Sequence, residues 1–234
     1  MKRGVVYTAI FGKYDDLPQG QYKSEGIDYI CFSDHEFQSD FWKVVKVNQI
    51  YEDPTRNARK YKALPHRYVS EYEYSIWMDG NMLMLKDLNP LLDGKIFQTY
   101  DHMKCFDKRN CIYQEADAIL QLGQQNMDRT PERGTKNFKD NPNIIKQQIE
   151  KYKSEGFPKD FGLAETSVVI RKHNDPSCVK LNEGWWTEMK YHSRRDQMSL
   201  NYVEWKNNFK IDYLEGDVRN NEYFKMISGH KGKK

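Results

Sequence analysis

Residues 74 to 85, Tyr-Ser-Ile-Trp-Met-Asp-Gly-Asn-Met-Leu-Met-Leu, decide how the chain is read. An apolar run of strand length breaks at Asp79-Gly80-Asn81 and resumes at once, the pattern of a buried strand that delivers a carboxylate and a carboxamide to its open end. Open α/β sheets bind ligands at the carboxyl ends of their strands. Asp79 and Asn81 stand two apart, and Gly80 between them lets the backbone turn sharply and leaves room for a ligand. Two oxygen-donating side chains on one turn suit a hard cation, Mg²⁺ or Mn²⁺, whose remaining positions go to water and phosphate oxygens. The competing reading is an ordinary Asp-Gly turn closing a hairpin, which the same residues fit about equally well on their own.

At 234 residues the chain is of a size for one α/β domain spanning 1–234. A hydrophobic share of 38% beside 30% charged residues describes a soluble protein, and no apolar run reaches the length of a bilayer crossing. The start, Met-Lys-Arg-Gly-Val-Val-Tyr-Thr-Ala-Ile-Phe-Gly, reads as a first strand and not as a signal peptide, because Asp15 and Asp16 interrupt it and no small-residue cleavage site follows. Cys31, Cys105, Cys111 and Cys178 form no C-x-x-C pair, which argues against structural zinc and against a disulfide scaffold; the expected compartment is the cytoplasm. A net charge of +3 gives no global field for nucleic acid. Sixteen tyrosines and five tryptophans suit stacking on sugars or bases, although cores absorb most such residues.

Taken in order, strands are expected at 4–10, 27–33, 42–47, 95–100, 165–171 and 209–214, besides the central run. Helices are expected from Asp53-Pro54 to about Pro65, over 111–127, 142–154, and from Asn174-Asp175-Pro176 onward. The first helix sets Arg59 and Lys62 on one face just before the Asp79 strand, a face suited to a nucleotide diphosphate. The loop after the first strand contains Gly12 and lies where a nucleotide can approach backbone, yet neither G-x-G-x-x-G nor G-x-x-x-x-G-K-[ST] occurs. Kinase, P-loop and dehydrogenase readings lose their support. The polar stretch 128–141 predicts a mobile surface loop, and the basic tail 228–234 a frayed end. Ser193-x-x-Asp196 reads locally as a capping box, with Asp196 as a helix-stabilising acid. Trp185, Trp186 and Tyr191 could form an acceptor platform, but core packing is the better reading.

Together, Tyr7-Thr8-Ala9-Ile10-Phe11-Gly12-x-Tyr14-Asp15, Arg59-x-Tyr61-Lys62, Trp77-Met78-Asp79-Gly80-Asn81, Gly162-Leu163-x-Glu165 and Ser193-x-Arg195-Asp196-Gln197-x-Ser199 resemble a glycosyltransferase family of plants and bacteria, formerly catalogued as a domain of unknown function. The resemblance covers nearly the whole chain and keeps the order of its blocks. More distantly the chain is similar to glycogenin and galactosyltransferase-like enzymes. The resemblance implies a GT-A-like, Rossmann-like mixed sheet flanked by helices, a nucleotide-sugar donor, most plausibly a UDP-sugar, and a divalent cation, Mn²⁺ or Mg²⁺.

Carried over by position, the resemblance makes Asp79, Asn81 and His230 the metal ligands and Asp196, Gln197 and Glu165 the catalytic candidates. It places Thr8, Ile10, Phe11, Gly12, Tyr14, Asp15, Arg59, Lys62, Asp79 and Lys233 around the nucleotide. Asn81 stands where the distant relatives carry an acid, and the His230-Lys-Gly-Lys233-Lys spacing is shorter than theirs. The Asp-Gln similarity leans toward retention of configuration; inversion would instead require a general base such as Asp196 or Glu165. The expected acceptor is a glycan or glycolipid, which leaves peripheral membrane contact open. The alternatives are a nucleotidyltransferase on a similar sheet and an inactive carbohydrate-binding protein. A glycosidase is disfavoured, since no facing pair of carboxylates is evident.

Overall fold

The computed structural model describes residues 2–12, 15–18, 21–125, 138 and 140–227. Nine strands are described: β1 (Lys2–Ile10), β2 (Ile27–Ser33), β3 (Lys43–Lys46), β4 (Tyr72–Met78), β5 (Met82–Met84), β6 (Phe97–Asp101), β7 (Ala164–Arg171), β8 (Asp212–Leu214) and β9 (Phe224–Met226). The helices among these residues are α1 (Pro54–Ala63), α2 (Pro65–Tyr68), α3 (Ile112–Gln124), α4 (Pro142–Ser154), α5 (Pro176–Tyr191) and α6 (Leu200–Lys206), with 3₁₀ turns at Asn89–Leu91, His102–Lys104 and Asp196–Met198.

Seven strands form one sheet in the order β3-β2-β1-β4-β7-β6-β8, and β5 pairs with β9 in a small second sheet. β1 runs parallel to β2 and β4, while β7 runs antiparallel to β4 and β6. The carboxyl ends of β1, β2, β4 and β6 therefore meet the amino end of β7 along one sheet edge. This edge collects Phe11, Asp34, Asp79, His102 and Glu165, each at or just beyond a strand end.

β1 is central and fully two-sided. Val5, Tyr7, Ala9 and Phe11 pack into the core shared with α1 and the later helices, whereas Val6 and Ile10 join Met78, Met82, Met84 and Phe224 on the other face. A period of two in side-chain direction explains why a near-continuous apolar run serves both.

Local chemistry fixes α1. Asp53 is its N-cap, accepting the Thr55 N–H at 3.0 Å, and Pro54 opens it. Pro65 ends that helix and starts α2, as proline's missing N–H and fixed φ require.

Several expectations are corrected. β4 and β5 form no hairpin with each other: β4 is held in the main sheet and β5 by β9, so Asp79-Gly80 links two sheets. Ser193 and Asp196 form no capping box. The Ser193 hydroxyl bonds Asp140 at 2.5 Å, Arg195 stands at the N-cap of the 3₁₀ turn, and the Asp196 carboxylate faces Lys62 and Thr166. The third and last expected strands shorten to Lys43–Lys46 and Asp212–Leu214. Of the predicted loop 128–141, residues 128–137 and 139 lie outside the described residues, while Asp140 is buried and bonded to Ser193 and Arg194. Trp185 and Trp186 are core residues, and Tyr191 is exposed.

Candidate active site

The centre of the sheet edge is a buried cluster of two acids and two bases. Lys62 comes from the last turn of α1 and is 0% exposed, so its ammonium must be satisfied inside the protein. It donates to Asp196 Oδ2, to Asp79 Oδ1 at 3.3 Å and to Thr166 Oγ1 at 3.3 Å. Arg59, one turn earlier on the same helix face, lies 3.5 Å from Asp79 Oδ1 and 3.3 Å from Asp196 Oδ2. Trp77, two residues before Asp79, donates its indole N–H to Asp79 Oδ1 at 2.7 Å. The Thr166 hydroxyl donates to Asp196 Oδ2 at 2.8 Å, and Trp185 Nε1 donates to the Asp196 carbonyl at 3.0 Å.

Burial alone would raise the Asp196 carboxyl. The charges of Arg59 and Lys62, with hydrogen bonds from Lys62 and Thr166, overcome that and hold it well below the usual carboxylate range. The backbone behind Lys62 is fixed as well: its carbonyl accepts from the Tyr7 hydroxyl at 3.0 Å and from the buried Arg171 guanidinium at 2.7 Å.

An open cleft of about 70 Å³, room for several waters or one flat ring, adjoins this cluster. Its walls are Ala9, Ile10, Phe11 and Asp15 after β1, Pro54, Thr55, Ala58 and Arg59 from α1, and Trp77, Asp79 and Gly80 after β4. It thus has an apolar side, formed by Phe11, Pro54 and Ala58, and a charged end at Arg59 and Asp79. Gly12 holds a φ of +63° and donates its N–H to both carboxylate oxygens of Asp34, each at 3.2 Å, which ties the β1 loop to the end of β2.

On the other side of Asp196 lies a second linked set. Glu165 Oε1 accepts from Ser167 N at 3.0 Å and Ser167 Oγ at 2.5 Å, and its Oε2 accepts from Gln197 Nε2 at 2.8 Å. Arg195 joins Gln197 to the buried Glu115, which also takes Arg109 at 2.6 Å. Burial opposes ionisation of Glu115, but Arg195 and Arg109 hold its carboxyl below its ordinary value. Arg109 and Arg219 flank Asp107 at 3.0 and 2.9 Å; against its burial, they hold it down to about 2. Burial first, then the nearby Glu165 charge, pushes the Cys105 thiol up to about 12.

The structure therefore brings together Arg59, Lys62, Asp79 and Asp196 in direct contact, pairs Glu165 with Gln197 beside them, and sets Ile10, Phe11 and Asp15 along the cleft. Thr8 is buried within β1 and Asn81 behind the turn, 1% and 6% exposed, and neither lines the cleft. Tyr14, His230 and Lys233 lie outside the described residues. Trp77, Thr166 and Asp34 are contributors the sequence reading passed over. Trp77 was the findable one, because residues two apart on a strand share a face.

Among the described residues no group of three or more His, Cys, Asp or Glu side chains converges as a metal cage. What lines the cleft is the Asp79 carboxylate, whose Oδ1 is already engaged by Trp77, Lys62 and Arg59, with the Asp15 carboxylate beside Gly80, while the Asn81 carboxamide is buried away from it. That sparse oxygen set fits a hard cation that takes most of its ligands from water and phosphate.

The family model described as the TOD1/MUCI70 glycosyltransferase-like domain matches residues 28–227. A probable hexosyltransferase of Arabidopsis thaliana, MUCI70, is 27% identical over 236 residues, covering 85% of this chain and 36% of that protein, so the chain spans little more than a third of its relative's length. The apo structure of the bifunctional glycosyltransferase WbbM aligns over 91% of this chain and 38% of its own, with a TM-score of 0.45 and 8% identity. With a match that runs from the start of β2 to just beyond β9 and takes in Arg59, Lys62, Asp79, Glu165 and Asp196, the chain belongs to the TOD1/MUCI70 glycosyltransferase-like family.

Proposed function

We propose that this chain transfers a hexosyl group from a nucleotide sugar, a UDP-sugar foremost, to a glycan or glycolipid acceptor. The observation that carries the reading is Lys62, wholly buried and shared by Asp79 and Asp196, next to Arg59 at the charged end of the cleft. Such a cleft takes a flat base against Phe11, Pro54 and Ala58 and leads its diphosphate toward Arg59. A guanidinium there makes charge-assisted bonds to phosphate oxygens. Asp79, which lines the cleft where Asn81 does not, would hold the divalent cation, which when bound neutralises the charge that develops on the leaving diphosphate.

The roles of the acids follow from their surroundings. Asp196 is kept ionised and its Oδ2 is saturated with donors, so it is a weak proton acceptor near neutral pH and a strong fixed negative charge. That favours electrostatic support of an oxocarbenium-like transition state, in line with retention. Glu165, bonded at both oxygens by Ser167 and Gln197, is oriented as a unit with Gln197 and is the remaining candidate base if configuration inverts.

The test is to incubate the chain with a panel of UDP-hexoses and Mn²⁺, with and without EDTA, and to identify the released nucleotide. The reading expects release of UDP, loss of release in EDTA, and a fall of about 10²-fold or more for Asp79→Ala. Pyrophosphate from a nucleoside triphosphate would establish a nucleotidyltransferase instead. Unchanged turnover in EDTA and in Asp79→Ala would remove the metal role.

A further inference from the structure

β6 runs parallel to β1 and β4, so the segment that follows it, Met103-Lys104-Cys105-Phe106-Asp107-Lys108-Arg109, rises from the same sheet edge as the candidate site. Its base is fixed. Cys105 is buried with its N–H on the His102 carbonyl at 3.1 Å, and Asp107 is clamped between Arg109 and Arg219. On this anchored base Phe106 is 89% exposed, the barest large apolar side chain among the described residues, with Met103 41% exposed beside it. Lys104 and Lys108 flank Phe106 and are exposed, while the one acid of the segment is already paired. The turn before β7 adjoins it through the Gly162 N–H, which donates to the Asn110 carbonyl at 2.8 Å, and that turn presents exposed Lys159 and Phe161 with one acid, Asp160.

Single exposed apolar residues are ordinary, but an anchored phenyl ring flanked by exposed lysines, on the sheet edge that also carries the candidate site, is a different arrangement. Aromatic rings settle at the headgroup boundary of a bilayer, and each lysine near an anionic surface adds attraction. We propose that this rim docks on an anionic phospholipid bilayer, with Phe106 and Met103 entering the interface and Lys104, Lys108 and Lys159 meeting lipid phosphates. The occupant is argued from charge complementarity: the surplus is basic, and the apolar tips lie between the cations. The consequence, that the site faces an acceptor carried in lipid, rests on the transferase reading; the docking does not.

The whole chain is sedimented with vesicles of equimolar phosphatidylcholine and phosphatidylglycerol, and with vesicles of phosphatidylcholine alone. Binding is expected to the anionic vesicles, to weaken at high salt, and to be absent on the neutral ones. Lys104→Glu with Lys108→Glu should weaken it by about 25-fold or more, and Phe106→Ser several-fold. UDP release from the donor should stay unchanged in these surface variants, so failure of docking and failure of catalysis are read separately. No binding to anionic vesicles, equal binding to neutral ones, or wild-type binding by both variants overturns the proposal.

Discussion

At the scale of single residues, the account turns on Lys62. A cation with no exposed surface, held between Asp79 and Asp196, is an arrangement in which removing one partner leaves the others buried and uncompensated. Lys62→Met is therefore expected to destabilise the fold by about 3 kcal/mol, since Arg59 offsets only part of the loss. Adding Asp196→Asn should recover more than half of that, as urea unfolding of the single and double variants would show. A cost below about 1 kcal/mol would mean the cluster is not the integrated unit described. Sequence gave Asp79 and Lys62 their chemistry, but not their meeting, because they are brought together by helix and strand packing across a separation that no local pattern records. Asp196 shows the opposite failure. Its neighbours mimic a capping box, and only the long-range contact with Lys62 and Thr166 overrides that local signal.

At the scale of elements, α1 is the lever that positions both cations, and its amino end is held from two sides. Asp53 caps it and pairs with Arg194, so Asp53→Ala should lower stability by about 1 kcal/mol or more in thermal or urea unfolding. Gly12 presses the β1 loop against it: an added Cβ would lie 2.8 Å from Pro54 Cγ, in a backbone conformation with φ +63°. Gly12→Ala should cost about 1–2 kcal/mol for the left-handed backbone, and should also weaken UDP binding in calorimetry because Pro54 walls the cleft. Wild-type UDP affinity in Gly12→Ala would separate this loop from the site. These features were legible, since Asp-Pro at a helix start and a lone glycine after a strand have local causes. The β5–β9 pairing was not. Both partners are three-residue strands far apart in the chain, and Asp79-Gly80 resembles a hairpin turn until the sheet order is known.

At the scale of the whole molecule, acid sensitivity should report how the core was built. Burial, then the charge of Arg171, drives the His173 imidazole down to about 4, and its Nε2–H donates to the Val69 carbonyl at 2.9 Å. An unfolded histidine titrates near about 6.5, so between these values the unfolded chain takes up a proton that the folded chain refuses. Stability is full above that window and falls by roughly 3 kcal/mol as pH drops through it. Asp196 acts in the same sense, its depressed carboxyl adding stability that is lost only at still lower pH. Urea midpoints measured from neutral to acid pH should fall in the wild type and flatten in His173→Gln; an identical slope in both would refute the assignment. The α/β class and most of the elements followed from alternation and caps, while the shared sheet edge depended on β7 running against its neighbours, which no pattern in Ala164–Arg171 specifies. The most direct test of the central claim is a crystal structure of the chain with UDP and Mn²⁺. The account predicts the base against Phe11 and Pro54 and the diphosphate between Arg59 and Asp79. A nucleotide seated elsewhere, with this cluster untouched, would contradict it.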